Sequence, residues 1–345
     1  MIDFLIIGGG HAGMHTAFAA MQRKCSFVLV DPFEENATNI SAGIINPITG
    51  RKYKPQWHIE VLLPFAERIY AAMERQLETS ILHHSGIWKM HKSEEALEAW
   101  LMAGKTPETM TWVSEDAEQH VWQKHLDHRF GAIQIPKAKR VDTTAMMNAF
   151  RKIYAENCMK ESINYAELEV HDDHITWKGE KYRHIVFCEG SRVMQNPWFG
   201  HISLWPAKGE CLIAHIPHLK SNVILQKKVF SVPFGSDIYW IGASNDFTDA
   251  TYDPTQAKLD ELTEGLRDML NLPYKIIAHR AGLRPTMRDR TPVVGTHPLH
   301  KSLHILNGLG TKGSLLAPYY AHILLDDILH NTGIPAPADV QRTFR

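Results

Sequence analysis

The chain opens on four continuous apolar residues, Phe4-Leu5-Ile6-Ile7, then glycines, then a helix-length stretch from Ala12 to Arg23, then Phe27-Val28-Leu29-Val30 and Asp31. Unbroken apolar runs of four to eight residues suit strands of a parallel sheet buried on both faces. His184-Ile185-Val186-Phe187-Cys188 is a further run of this kind and predicts the chain's return to the same sheet. Helical spacing is clearest at Ile59, Leu62, Ala66, Ile69, Met73 and Leu77, which predicts an amphipathic helix over about 55–78, kinked or restarted at Pro64. Further helices are expected at 94–103, capped by Ser93 and Gly104; at 143–158, introduced by Asp142; after Asp253 as N-cap with Pro254 at the first position; and from Ser314 to about His330. Short strands are expected at 87–91, 111–113, 132–135, 164–170, 175–178 and 303–307, and four more at 210–216, 223–226, 229–233 and 239–243 form a meander.

The first turn gives the pattern its chemistry. Gly8-Gly9-Gly10-His11-Ala12-Gly13 is G-x-G-x-x-G between a strand and a helix, with an acid, Asp31, ending the next strand. Gly8 permits the tight turn, Gly10 lets the backbone approach a pyrophosphate, and Gly13 lets the helix pack on the strand. The N–H groups at His11 and Ala12 and the helix dipole favour phosphate, while Asp31 suits an unphosphorylated ribose. This is the signature of an ADP cradle. The fold class is α/β: a discontinuous Rossmann-type nucleotide domain of residues 1–80, 139–200 and 278–345, and a second α+β domain of 81–138 and 201–277 built on an antiparallel sheet that carries substrate.

Bulk properties narrow the partners. A chain of 345 residues with a formal charge of -1 suits two globular domains and offers no general attraction to nucleic acid or anionic membrane. The start reads as lacking a secretory signal, no run approaches the ~20 apolar residues of a membrane span, and the expected location is cytoplasmic. Cysteines 25, 158, 188 and 211 are scattered and are expected to be reduced thiols. Among 21 histidines the cluster His120, His125 and His128 lacks metal-site spacing, so no metal is expected.

Near the C-terminus Gly308-Leu309-Gly310-Thr311-Lys312-Gly313 repeats the G-x-G-x-x-G pattern. No third strand follows its helix, so a second nucleotide unit cannot be completed. Its helix N-terminus and the Lys312 ammonium are read instead as stabilising negative charge on the far end of the same cofactor.

Together with the first turn and Ser41-Ala42-Gly43, the segments Trp205-Pro206-Ala207-Lys208-Gly209-Glu210, Ile241-Gly242-Ala243-Ser244, Gly282-Leu283-Arg284-Pro285 through Gly295, and Gly308 to Pro318 resemble the D-amino-acid oxidase family of flavoproteins, which includes glycine oxidase and the sarcosine oxidases. The matches run in family order from residue 5 to about 325. The resemblance implies extended FAD, its ring at the domain boundary, and oxidation of an amine-bearing carbon by hydride transfer to flavin N5, with water hydrolysing the imine. It implies that Arg284 grips a substrate carboxylate beside the cofactor, and that Lys312 with Gly310 to Gly313 faces the flavin N1 and C2 carbonyl. It also implies cofactor contacts at Ser41, Ala42, Gly43, Val170, Gly190, Gly308 and Thr311, and Tyr239, Trp240 and Tyr53 are candidates for lining the substrate pocket.

Two departures stand out. No cysteine follows Cys211, which predicts non-covalent FAD where some sarcosine oxidases attach it through a C-terminal cysteine. Trp240 occupies the position of the oxygen-activating lysine of those enzymes, so the electron acceptor is O2 or another carrier. The expected activity is oxidation of the C–N bond of a small amino acid or N-alkyl amino acid. The alternatives are oxidation of an aminomethyl-carboxylate group on a modified tRNA nucleoside, which the near-zero charge disfavours, and a nucleotide-binding protein without redox activity.

Overall fold

A computed structural model describes residues 1–50, 53–115 and 120–344. Its first sheet has eight strands. β1 (Ile2–Ile7) lies between β2 (Phe27–Asp31) and the strand Glu180–Phe187, parallel to both, and Cys158–Lys160 extends the sheet beyond β2. Ile7 pairs with both Val30 and Phe187, so the three strands end level. The turns leaving them therefore converge at one edge, the carboxyl edge where open α/β sheets bind ligands. Leu303–Asn307 pairs parallel with the last part of Glu180–Phe187 and delivers the second glycine turn to the same edge. Helix α1 (His11–Gln22), the helix Ile59–Leu77 and the C-terminal helix Gly313–His330 cover one face around Phe4, Ile6, Met14, Phe18, Tyr70 and Leu324.

The second sheet has seven strands in the order Lys275–Arg284, Ala207–His215, Ile238–Gly242, Phe230–Gly235, Ile224–Gln226, Ile87–Met90 and Ala132–Ile135. The two excursions from the nucleotide domain thus share one sheet. Its pairs are antiparallel except that Ile224–Gln226 runs parallel to Ile87–Met90. Strand Lys275–Arg284 stays paired with Ala207–His215 as far as Ala207 opposite Arg284, so a boundary at 277 falls inside a strand and this sheet extends to Arg284. One face packs on the helix Gln256–Met269 through Leu212, Tyr239, Ile241, Leu262 and Leu266; the other meets Ile40 and Ala42 through Cys211, Val232 and Trp240.

Several local expectations are corrected. Pro64 sits inside one continuous helix. Thr111–Val113 forms a turn after the helix Pro107–Met110 rather than a strand, with Thr106 Oγ1 capping that helix by accepting from Thr109 N. The helix expected to reach 158 ends at Ile153, because Cys158 is taken into the first sheet against Leu29. Within 164–170, Tyr165–Glu167 is a 3-10 turn and only Glu169–Val170 pairs as a strand. The helix expected to be capped by Asp253 is capped by Thr255, whose Oγ1 accepts from Lys258 N, since the Asp253 carbonyl is bonded elsewhere. Among the described residues no helix is long and apolar enough to cross a membrane, and no group of three or more histidine, cysteine or carboxylate side chains could hold a metal ion.

Candidate functional site

One continuous cleft of about 1060 Å³ runs from the first glycine turn along the carboxyl edge to the second sheet. That is the upper end of the usual range for a ligand pocket.

At the nucleotide end, Gly8 has φ +101°, a left-handed conformation that favours glycine. Gly10 lines the cleft, and a Cβ there would meet Thr38 Oγ1 at 2.9 Å. His11 N donates to that same hydroxyl at 3.1 Å. Gly13 does not line the cleft: a Cβ there would lie 1.7 Å from the Gly8 carbonyl oxygen, so its role is to let α1 sit against the turn. Asp31 accepts from Gly9 N at 2.6 Å and Phe33 N at 2.7 Å, with the Arg151 guanidinium 3.3 Å away. These bonds fix the acid at the rim beside the turn. The glycine cradle, the helix N-terminus and the length of the cleft fit an extended dinucleotide such as FAD.

His11 is buried between the two glycine turns. Its Nε2 lies 3.1 Å from Ser314 Oγ, and burial pushes its pKa down to about 4. Glu189, at the end of Glu180–Phe187, also faces the cleft, beside Gly190. It accepts from Tyr165 Oη at 2.5 Å and Asn196 Nδ2 at 2.8 Å, and burial pushes its carboxyl up to about 7.

Ser41, Ala42, Gly43, Gly308, Gly310, Thr311, Lys312 and Gly313 also line the cleft. Lys312 is the N-cap of the C-terminal helix, and burial, with Arg290 close by, lowers its pKa. Arg284 reaches the cleft from the last residue of its strand. Its Nη1 donates to Lys208 O and Asn245 Oδ1, both at 3.3 Å, and its Nη2 donates to Ser244 O at 3.0 Å. All three acceptors are neutral. Burial lowers its pKa, and no carboxylate among the described residues opposes that shift.

Three expected residues are not brought to the cleft. Val170 lies on the outer edge of the first sheet, and Ile163 and Tyr165 line the cleft instead. Tyr239 faces the opposite side of its strand, where its hydroxyl accepts from Ser221 N at 3.1 Å and donates to Ser221 O at 3.3 Å. Tyr53 is buried against Trp100, with its hydroxyl 3.2 Å from His91 Nδ1. Trp240, one residue from Tyr239 and so on the other face, does line the cleft and donates from Nε1 to Ile40 O at 2.8 Å. Thr38, Glu189 and Asn245 carry no motif of their own, whereas Lys208, Ser244 and Arg290 fall inside segments that the resemblance rests on. Gly209, inside a segment that the resemblance rests on, is explained here: a Cβ would lie 2.0 Å from Arg284 Nη2.

A nucleotide-binding sheet and a second sheet that meet along one cleft, with a half-buried arginine reaching into it, define a two-domain dinucleotide-dependent protein. The chain belongs to the DAO family, FAD dependent oxidoreductases, which it matches over residues 3–326. It is 25% identical to a glycine oxidase of Bacillus licheniformis over 349 residues, covering 95% of this chain and 93% of that protein. It is 22% identical to the tRNA 5-methylaminomethyl-2-thiouridine biosynthesis bifunctional protein of Aeromonas hydrophila, covering 98% of this chain and 57% of that protein. The solved glycine oxidase of Geobacillus kaustophilus superposes with a TM-score of 0.78 at 19% identity, over 99% of this chain and 98% of that one.

Proposed function

We propose that this FAD-dependent oxidoreductase oxidises the C–N bond of a small amino acid or N-alkyl amino acid. The observation that carries the reading is Arg284, a half-buried guanidinium bonded to neutral acceptors only. A desolvated cation without a counter-charge favours an anionic ligand, and the planar fork matches a carboxylate. Holding that carboxylate fixes the neighbouring carbon and turns binding into orientation. Bound FAD would supply the hydride acceptor. Lys312 and the N-terminus of Gly313–His330 would stabilise negative charge at the same end of the cleft. The likeness to glycine oxidase supports a small substrate.

The thiols support non-covalent attachment. Cys188 and Cys211 both line the cleft, yet burial pushes each up to about 12, which leaves the protonated, unreactive form at neutral pH. Trp240 beside the cleft supplies no cation to assist oxygen, so the reading extends to O2 or another carrier as acceptor.

The test is an absorbance spectrum of purified protein, repeated anaerobically after addition of glycine, N-methylated glycines and D-amino acids in separate pools. Bleaching by one pool is expected. A bound flavin that no pool bleaches overturns the small-substrate reading and moves the search to larger amines, the aminomethyl-carboxylate of tRNA among them. Arg284→Lys, which loses the bidentate fork, is expected to lower kcat/KM by about 100-fold with FAD content unchanged. Equal loss of both would make the residue structural.

A further inference from the structure

The groups that aim Arg284 belong to one seam, and a buried lysine closes it. Lys208 and Glu210 are two residues apart on Ala207–His215, so both point to the same face, away from the guanidinium lying over Gly209. Lys208 is 1% exposed. Its ammonium donates to Asp249 Oδ2 at 2.5 Å, Thr251 Oγ1 at 3.0 Å and Asp253 O at 2.5 Å, which uses all three of its hydrogens on one loop. Its backbone N and O exchange bonds with Asp246 at 2.7 and 2.9 Å. Glu210 closes the loop's far end by accepting from Thr255 N at 2.8 Å and Thr255 Oγ1 at 3.0 Å. Its backbone N donates to Ser244 Oγ at 2.9 Å.

The loop so held, residues 244–255, has little apolar substance of its own beyond Phe247, which packs on Trp205. It nevertheless forms a wall of the cleft through Asn245, Phe247 and Tyr252, and supplies two of the three acceptors of Arg284, with Lys208 O as the third. A buried ion pair adds little stability compared with apolar packing, and its better-attested use is to specify one arrangement among several. Here the arrangement specified is the bearing of Arg284.

We propose that Lys208 is a positioning residue for the substrate carboxylate: by clasping residues 249–253 to its strand it holds Ser244 and Asn245 where they aim the Arg284 guanidinium into the cleft. This rests on the reading of Arg284 as the carboxylate anchor. The lowered Asp249 carboxyl, at about 2 and owed first to its bond from Lys208, keeps the clasp ionic throughout the working pH range.

The test uses the FAD-loaded enzyme and follows perturbation of the flavin absorbance by acetate, with acetamide as the uncharged control. Lys208→Met is expected to weaken acetate binding at least tenfold, to leave acetamide and FAD affinities within twofold of wild type, and to raise KM more than it lowers kcat. Acetate affinity within twofold of wild type overturns the clasp, as does equal weakening of acetate, acetamide and FAD. If Lys208→Met fails to fold, Asp249→Ala combined with Thr251→Val removes two of the three bonds and leaves the lysine in place. A three- to tenfold loss for acetate alone is then expected, and none overturns the proposal. A wild-type enzyme indifferent to acetate overturns the Arg284 reading itself, an outcome separate from a responsive wild type matched by its Lys208 variant.

Discussion

The two ends of the cleft are built on opposite principles. At the nucleotide end the shape is made by backbone: a left-handed Gly8, a Gly13 with no room for a Cβ, and an Asp31 already bonded to Gly9 N and Phe33 N. At the other end it is made by side chains from separate strands and loops, and its principal cation faces only neutral partners. The two G-x-G-x-x-G turns differ as well: the first is completed by a strand on either side of its helix, whereas the second leads into the largely buried helix Gly313–His330 and contributes Lys312 at the N-cap. One end should therefore fail by losing cofactor, and the other by losing substrate while keeping cofactor.

The largest effect is expected from Gly13→Ala. Its Cβ would stand 1.7 Å from a backbone oxygen, so α1 must leave the turn and the phosphate cradle with it. Overpacking against backbone costs about 3 kcal/mol or more, and the variant should purify without flavin and with a lowered Tm. Stoichiometric flavin in Gly13→Ala would break the comparison at once.

Gly209→Ala makes the matching test at the substrate end. The new methyl would stand 2.0 Å from Arg284 Nη2, the tip of a flexible side chain, so the guanidinium should move and the fold remain. Misplacement of an orienting group by about 1 Å can cost roughly 100-fold, and kcat/KM is expected to fall by about 10- to 100-fold with flavin content and Tm near wild type. A fall in flavin content would show that the two ends are not separable.

This asymmetry also explains what could be read from the sequence. Glycines in a strand–turn–helix setting have steric reasons that survive without neighbours, so the Rossmann-type parallel sheet with its glycine turn, and the presence of a second antiparallel sheet, were legible. Arg284 was singled out by resemblance; Lys208 and Ser244 fall in segments that the resemblance also covers, yet nothing local in them or in Asn245 points to their bonds with Arg284. Val170 does not line the cleft: the segment before it turns where a strand was expected, and Ile163 and Tyr165 line the cleft there. Tyr239 and Trp240 show the limit most simply: alternation requires that adjacent residues face opposite sides, yet which side holds the cleft is decided by the domain packed against it.

A smaller effect separates the ends by pH. Burial raises the Glu189 carboxyl from 4.5 to about 7, so between those values the folded protein keeps a proton that the unfolded chain has lost. Stability attributable to this group therefore declines as pH rises from about 4.5 to about 7. Glu189→Gln should flatten that decline, seen as a wild-type-minus-variant Tm difference that becomes more negative between pH 5 and pH 8. A difference independent of pH would mean that the carboxylate is ionised throughout.

Least disruptive of all should be Tyr239→Phe, which tests whether the substrate end stops at one face of its sheet. The lost hydroxyl leaves Ser221 N without its acceptor in a buried site, a cost of about 1–2 kcal/mol in stability. Because the ring belongs to the cluster formed with Leu262 and Leu266, KM and flavin content should not change. Trp240→Phe, on the other face, would lose the bond from its indole to Ile40 O, which joins the second sheet to the segment before Ser41-Ala42-Gly43. Opposite outcomes at these adjacent positions, stability alone at Tyr239 and substrate affinity at Trp240, would place the working surface of the second sheet on the Trp240 side; a KM change in Tyr239→Phe would extend it through the sheet.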